Sequence, residues 1–154
     1  MFTVTELIDI AIKIEQNGEV VYRESAKKVT NPEFASLLTW MADQEVDHAQ
    51  LFSQMKSAPG ISDDPIPDEA LNMALIETFI MGQSFSLSDK DFSNFDQFSQ
   101  ILASAIEFEE DTILFYQMLQ TFVSGEREQK QIDMMIAEET KHVALLKSNQ
   151  PVNT

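Results

Sequence analysis

Glu45-Val46-Asp47-His48 and Glu139-Thr140-Lys141-His142 are the two stretches that decide how this chain folds. In each, a glutamate is followed three residues later by one of the chain's two histidines. Residues i and i+3 lie on the same face of an α-helix, so each stretch would direct one carboxylate and one imidazole at one point. Such a pair is typical of metal ligands, although a single Glu-x-x-His also arises by chance on a helix surface.

The two stretches belong to an internal repeat with an offset of 94 residues. The same offset relates Glu15 to Glu109, and Tyr22 to Tyr116, which are the only two tyrosines. A repeat unit of this kind cannot bury its apolar face alone and needs its partner. The pattern therefore predicts four carboxylates and two imidazoles brought together by two matching halves. The repeat units span about residues 11–56 and 105–150.

Composition limits the class of protein. With 154 residues and 44% hydrophobic residues, the chain is predicted to form one domain, 1–154, with one substantial core. No apolar run reaches the ~18–20 residues of a membrane span, and we see no secretory signal, so we expect a cytoplasmic location. Zero cysteines exclude disulfides and thiolate-bound clusters. A net charge of −16 with only 10 basic residues argues against nucleic-acid binding.

Helical periodicity predicts an all-α fold, a four-helix bundle. Thr3 and Glu6 form a capping box, and Asn31-Pro32 is a second helix start. Pro59-Gly60 and Ser124-Gly125 mark a stop and a turn. The four long helices are predicted over about residues 4–28, 32–57, 95–122 and 126–149.

A long crossover, about 58–94, connects the second and third of these helices. It is predicted to hold a linker, a short amphipathic helix from Asp68 to about Gly82, and a loop over 83–94. Its length would carry the chain back along the bundle, so that the third long helix starts where the second started. A cluster of phenylalanines here favours packing of the crossover on the bundle, or a dimer contact, over a ligand site. Its members are Phe79, Phe85, Phe92, Phe95 and Phe98.

The four glutamates are predicted to lie at one depth in the bundle. Glu15 and Glu45 are each about 15 residues from the first turn, roughly 22 Å along their helices, and Glu109 and Glu139 are placed in the same way around the second turn. Four buried carboxylates need compensation, which two divalent cations supply. The simplest assignment makes Glu45 and Glu139 bridging ligands, Glu15 and Glu109 terminal ligands, and gives each metal one histidine, His48 or His142.

This oxygen-rich ligand set with one imidazole per metal suits iron or manganese better than zinc. Gly18, one turn after Glu15, indicates that space is needed beside the metals. Glu19 is a less favoured extra ligand, because Arg23 is placed to pair with it four residues later. Trp40 and the phenylalanine cluster, taken as exposed, favour a homodimer.

One glutamate on each of two helices and a Glu-x-x-His on each of the other two resembles the ferritin-like di-iron carboxylate proteins. The motifs Glu15…Tyr22, Asp43-Gln44-Glu45-x-x-His48-Ala49 and Glu139-x-x-His142 resemble the rubrerythrin-related branch most closely. In that family, tyrosines near the terminal ligands hydrogen-bond the ligand carboxylates. The resemblance implies this role for Tyr22 and Tyr116, with ordinary core tyrosines as the alternative.

The implied function is that of a di-iron oxidoreductase cycling between Fe2+ and Fe3+. It would reduce hydrogen peroxide or dioxygen with electrons from an external donor protein. Rubrerythrins carry a further carboxylate where this sequence has Thr112, and usually a cysteine-rich rubredoxin-like tail, which this sequence lacks; both departures count against peroxidase activity. The symmetric six-ligand set also resembles that of bacterioferritins. Ferroxidase or iron handling, a manganese catalase, mixed-metal binding and a non-enzymatic metal-binding bundle are the alternatives.

Overall fold

Four long helices and one short helix form the structure, a computed structural model that describes residues 1–80 and 95–150, with the backbone alone at 95–97. The all-α prediction is confirmed. The helices are α1 (Val4–Ala26), α2 (Pro32–Met55), α3 (Met73–Ile80), α4 (Phe95–Gln120) and α5 (Glu126–Ser148). The long helices end within two residues of the predicted positions.

The starts of α1 and α2 are fixed by the predicted side-chain caps. Thr3 Oγ1 accepts a hydrogen bond from the Glu6 N–H at 3.2 Å. Asn31 Oδ1 accepts from the N–H groups of Glu33 and Phe34 at 2.9 and 3.2 Å, and Pro32 occupies the first helical position. These bonds satisfy backbone donors that have no partner within the helix, and both predicted starts are confirmed.

Two apolar layers, one toward each end of the bundle, hold the long helices together. The first includes Leu7, Ile8, Phe52, Met55, Phe115, Leu119, Ile132 and Met135. The second includes Val21, Phe34, Leu38, Met41, Leu102, Ile106 and Leu146. Full burial of one such side chain contributes about 1.5–3 kcal/mol. Helices α1 and α5 run from the first layer to the second, and α2 and α4 run the opposite way, which leaves a middle section between the layers.

The crossover returns the chain as predicted, since α2 ends in the first layer and α4 begins at the second. The predicted short helix is confirmed, but it begins at Met73 rather than at Asp68, and its predicted end near Gly82 lies outside the described residues. A single 3-10 turn, Asp68–Ala70, is followed by extended backbone at Leu71, and Asn72 Oδ1 then accepts from the Leu75 N–H at 3.1 Å. Asn72 thus caps a new helix, α3, which places Leu75 and Ile76 in the first layer.

Two phenylalanines of the predicted cluster have described contacts. The Phe79 ring packs edge-on against Phe108 and Phe115, with centroids 6.3 and 5.6 Å away, and Phe98 packs against Phe34 at 5.1 Å. The packing interpretation is confirmed for Phe79 and Phe98. The predicted 83–94 loop, Phe85, Phe92 and the Phe95 side chain lie outside the described residues.

Trp40 is less exposed than expected. Its indole, expected to be exposed, is half-buried, and its centroid lies 5.4 Å from that of His142. Among the described residues, the large apolar side chains that face solvent are Met1, Val20, Ile80, Leu114 and Met134, and the homodimer stays a prediction. Across residues 1–80 and 95–150, every helix is too short or too polar to span a bilayer.

Candidate metal centre

The middle section between the apolar layers holds all six predicted ligands. Glu15 comes from α1, Glu45 and His48 from α2, Glu109 from α4, and Glu139 and His142 from α5. None of the six is more than 2% exposed. Helical spacing explains the convergence, because each Glu-x-x-His places both its side chains on the inward face of one helix.

These side chains form two clusters in which the candidate ligand atoms lie within 4.8 Å of one another. One cluster contains Glu15, His48 and Glu139, and the other contains Glu45, Glu109, Glu139 and His142. Glu139 belongs to both: its Oε1 lies 2.9 Å from His48 Nδ1 and its Oε2 lies 3.0 Å from His142 Nδ1. One carboxylate thus faces both imidazoles, the position that the predicted bridging role requires.

Glu45 also lies between the two clusters. Its carboxyl lies beside that of Glu15, and its Oε1 lies 3.6 Å from His142 Nδ1. On the opposite side, Glu109 Oε2 lies 3.9 Å from His142 Nδ1, in the same cluster as Glu139. The four carboxyl groups and two imidazoles therefore form one continuous polar group, with Glu45 and Glu139 at its centre.

Three carboxyl oxygens of this group have no hydrogen-bond partner in the described part of the chain, although they are buried. They are Glu15 Oε2, Glu45 Oε1 and Glu109 Oε2. Leaving a buried acceptor unsatisfied costs about 1–3 kcal/mol, and more when it is charged. Lone pairs directed into a buried cluster are what oxygen-ligated divalent cations require, so the residues present fit a two-metal site.

The pKa values of the clustered glutamates show that their negative charges need compensation by positive charge. Burial raises the pKa of Glu15 above its ordinary value of 4.5, and the charge of Glu139 raises it further. Burial and the neighbouring carboxylates likewise raise the pKa of Glu45 and of Glu109 well above 4.5. Without metal, these three groups therefore retain protons at pH values where an exposed glutamate is ionised.

Glu139 and His48 behave as the charged pair within the cluster. Burial alone would raise the pKa of Glu139, but hydrogen bonds from Glu109, His142 and His48 outweigh burial and hold that pKa well below its usual range. Burial would lower the pKa of His48, but its contacts with Glu139 and Glu15 raise it to about 11. Protons thus occupy places where cations would otherwise neutralise the carboxylates.

The two tyrosines connect the halves of the chain. Tyr22 on α1 donates a hydrogen bond to Glu109 Oε1 on α4, and Tyr116 on α4 donates to Glu15 Oε1 on α1. Burial and the nearby carboxylates raise the pKa of both phenols well above 10, so each remains a donor. Each tyrosine therefore holds the terminal glutamate of the other half, leaving that glutamate's second oxygen directed into the cluster.

The outward nitrogens of the two histidines reveal partners that the sequence did not single out. His48 Nε2–H donates to the Glu138 carboxylate, and His142 Nε2–H donates to Gln44 Oε1 at 2.7 Å. These bonds turn each Nδ1 inward, as outer partners of metal-bound histidines do. The repeat gives one indication of these partners, because Gln44 and Glu138 are separated by the same 94 residues as the paired ligands. The local sequence could not show that each contacts the histidine of the other half.

Two predictions about residues beside the cluster, Gly18 and Glu19, can be compared with the structure. A Cβ atom at Gly18 would lie 3.0 Å from Glu45 Oε2, so the prediction that this glycine makes room is confirmed. Glu19 Oε2 pairs with Arg23 Nη2 at 2.8 Å, so the favoured ion pair is confirmed. A cleft of ≈ 420 Å³ between α1 and α2 reaches Glu15 and Glu45 and has Glu19 in its lining.

Thr112 occupies the position of the further carboxylate expected from rubrerythrins. Its side chain is 1% exposed, and its Oγ1 donates to the Phe108 carbonyl at 2.9 Å. The hydroxyl is thus bound to its own helix. No seventh carboxylate reaches the cluster from this position.

Comparison with known proteins agrees with this geometry. Residues 6–75 match the family model for rubrerythrin, and no curated protein gives a significant match. A protein of Thermotoga maritima named as a ferritin-like diiron-carboxylate protein has 24% identity and a TM-score of 0.74, covering 96% of this chain and 93% of its own. A hypothetical protein from Pyrococcus furiosus has 19% identity and a TM-score of 0.74, covering 96% and 87%. Residues 6–75 are therefore similar to rubrerythrins, and the chain has the ferritin-like fold.

Proposed function

We propose that the chain is a di-iron oxidoreductase that reduces hydrogen peroxide or dioxygen with electrons from an external donor protein. The observation that carries this proposal is the pair of ligand clusters sharing Glu139, with three buried carboxyl oxygens left unsatisfied. A structural polar core would pair those oxygens, because unpaired buried acceptors are destabilising. A two-metal centre gives each of them a partner.

Charge and ligand type support iron. Four carboxylates and two neutral imidazoles balance two divalent cations, and oxygen-rich ligation with one imidazole per metal suits iron or manganese. The name of the Thermotoga maritima protein, whose fold this chain shares, adds support for a di-iron pair. In this assignment Glu45 and Glu139 would be shared by the two ions, Glu15 and His48 would hold one ion, and Glu109 and His142 would hold the other.

The surrounding residues would orient the ligands and admit the oxidant. Tyr22 and Tyr116 fix the outer oxygens of Glu109 and Glu15, so that the inner oxygens stay in place when the charge of the centre changes. The cleft between α1 and α2 gives a small oxidant a route to the centre. The apolar layers on either side exclude bulk water along the bundle axis.

The overall chemistry is a two-electron reduction. When bound, two ferrous ions would supply two electrons, which with two protons convert one hydrogen peroxide to two waters. An external donor protein then returns two electrons, because the chain has no cysteine with which to hold a redox cluster of its own. Such a role would place the protein in the response to oxidative stress.

Ferroxidase activity is the second candidate, and Thr112 favours it. Without the further carboxylate of rubrerythrins, the centre has six ligands in a nearly symmetric arrangement, which resembles that of bacterioferritins. In this role Fe2+ would be a substrate as well as an occupant of the site.

Metal analysis followed by stopped-flow kinetics tests these functions. The isolated protein should contain close to two iron ions per chain, and the reduced protein should react with hydrogen peroxide faster than with dioxygen. A much faster reaction with dioxygen would favour the ferroxidase. Oxygen evolution from peroxide after manganese loading would favour a catalase. Metal binding without any of these reactions would leave a non-enzymatic metal-binding bundle.

A further inference from the structure

The two metal positions differ in the partner that holds each histidine, although the ligands themselves are related by the repeat. His48 Nε2–H donates to a carboxylate, Glu138, whereas His142 Nε2–H donates to an amide oxygen, Gln44. Glu138 follows Gln44 by the same 94 residues that separate the paired ligands. The repeat therefore does not hold at positions 44 and 138, whose side chains accept the hydrogen bond from the outer N–H of each histidine.

This difference changes the donor strength of the two histidines. A carboxylate that accepts from the outer N–H draws positive charge onto the ring and makes the inner nitrogen more basic, and losing such a partner typically costs about 10–100-fold in metal affinity. A neutral amide oxygen accepts the same bond with less effect. His48 should therefore bind a divalent cation more strongly than His142.

The surroundings of the two histidines differ in the same direction. Trp40 packs against His142, and Lys141 Nζ lies over the Trp40 ring, 5.4 Å from its centroid. The repeat-related positions on the other side are Met134 and Asp47, where a cleft of ≈ 290 Å³ is lined by His48, Glu138 and both of these side chains. The His142 side is thus covered by Trp40 and has the cationic Lys141 nearby. The His48 side opens to a cleft that contains the carboxylates of Asp47 and Glu138. An acidic, open cleft concentrates cations.

We propose that divalent metal fills the His48 position before the His142 position, and that Glu138 is the positioning residue that sets this order. The inference rests on the proposed two-metal function, and it adds that the two positions are unequal. Three differences act together: the stronger histidine donor, the acidic cleft, and Lys141 beside the other position.

Trp40 provides a site-specific readout, because it is the only tryptophan and contacts His142. Metal-free protein would be titrated with Co2+, following heat by calorimetry and the emission of Trp40 in parallel. Co2+ at the His142 position lies nearest the indole and should quench it most. We expect two resolved binding steps, with most of the quenching in the second.

Matched variants assign the order to Glu138. In Glu138→Gln the first step should weaken by about tenfold or more, and quenching should begin with the first Co2+ added. The double exchange Gln44→Glu with Glu138→Gln keeps composition and net charge, and should place most of the quenching in the first step. Glu126→Gln, whose side chain is 84% exposed at the start of α5, is the control and should match the unmodified protein.

The outcomes separate this inference from the proposed function. Absence of Co2+ binding in the unmodified protein would overturn the two-metal site itself. Binding of two ions with quenching proportional to occupancy would leave the site intact and overturn the loading order. Retention of the original order in the double exchange would show that Glu138 does not set it. Circular dichroism of each variant checks that the helices are retained.

Discussion

Gly18 on α1 and Glu45 on α2 lie so close that a Cβ atom at Gly18 would be 3.0 Å from Glu45 Oε2 and 3.3 Å from its carboxyl carbon. The glycine costs helix stability, about 1 kcal/mol relative to alanine. Its place opposite a bridging candidate indicates that the Glu45 carboxylate needs the space that a side chain at position 18 would take.

Replacing this glycine tests that requirement. In Gly18→Ala, the metal-free protein should keep its unfolding free energy or gain up to about 1 kcal/mol, whereas metal affinity should fall because Glu45 is displaced. Denaturant unfolding and Fe2+ titration under anaerobic conditions measure the two quantities. Val20→Ala, at an exposed position of the same helix, is the control and should leave affinity unchanged. Unchanged affinity in Gly18→Ala would contradict the interpretation.

Removing either tyrosine hydroxyl should loosen the terminal glutamate of the other half. Tyr116→Phe leaves Glu15 Oε1 without its donor, and Tyr22→Phe does the same to Glu109 Oε1. We expect a loss of about 1–3 kcal/mol in unfolding free energy for each, with metal affinity reduced about 10–100-fold. Because the two bonds are equivalent, the two variants serve as controls for each other. A large effect in one and none in the other would contradict equal roles.

The shared position of Glu139 predicts a graded loss of metal. Glu139→Gln should abolish tight binding of both ions, because this carboxylate faces both histidines. Glu15→Gln should weaken binding of one ion only, because Glu15 belongs to one cluster. Metal content after gel filtration distinguishes the two cases, and circular dichroism checks folding. Equal stoichiometry in both variants would count against the bridging role.

The pKa shifts predict that the metal-free protein loses stability as pH rises. The raised pKa values of Glu15, Glu45 and Glu109 mean that the folded state binds more protons than the unfolded chain above pH 4.5, so the unfolding free energy falls with pH. His48 adds the same trend from pH 6.5 to about 11. Glu139, with its lowered pKa, has the opposite effect and only below pH 4.5.

The melting temperature of the metal-free protein should therefore be lower at about pH 9 than at about pH 5. Glu45→Gln should make this dependence of the melting temperature on pH weaker, since a glutamine neither gains nor loses a proton. Saturating Mn2+ should stabilise more at the higher pH, because metal binding releases the protons. The exposed Glu126→Gln should keep the original slope. A melting temperature that rises with pH in the absence of metal would contradict the protonated cluster.

The ligand positions were predictable because two independent periodicities agree on them. The helical period places Glu45 with His48 on one face, and the repeat offset brings the equivalent pair of α5 opposite. The four long helices followed from the same period and from caps such as Thr3 and Asn31, whose side-chain bonds are local. Hydrogen bonds between residues that are close in sequence depend on few neighbours, so they can be predicted from the sequence.

What escaped prediction depends on contacts between helices. The start of α3 at Met73 depends on the Asn72 cap and on the packing of Leu75 and Ile76 on the bundle, which helical periodicity alone does not reveal. The partial burial of Trp40 depends on its contact with His142, which lies 102 positions away in the sequence. The roles of Gln44 and Glu138 arise from the packing of α2 beside α5, which no short stretch of sequence encodes.

The crossed bonds from Tyr22 to Glu109 and from Tyr116 to Glu15 carry an evolutionary consequence. Among the described residues, the tyrosine that donates to each terminal glutamate comes from the other half, so one half alone could not form these two bonds. Two identical short polypeptides, each forming a helical hairpin and associating about a two-fold axis, would exchange the same bonds. Joining two such hairpins in one chain would preserve the centre and would allow the two copies to differ, as Gln44 and Glu138 differ here.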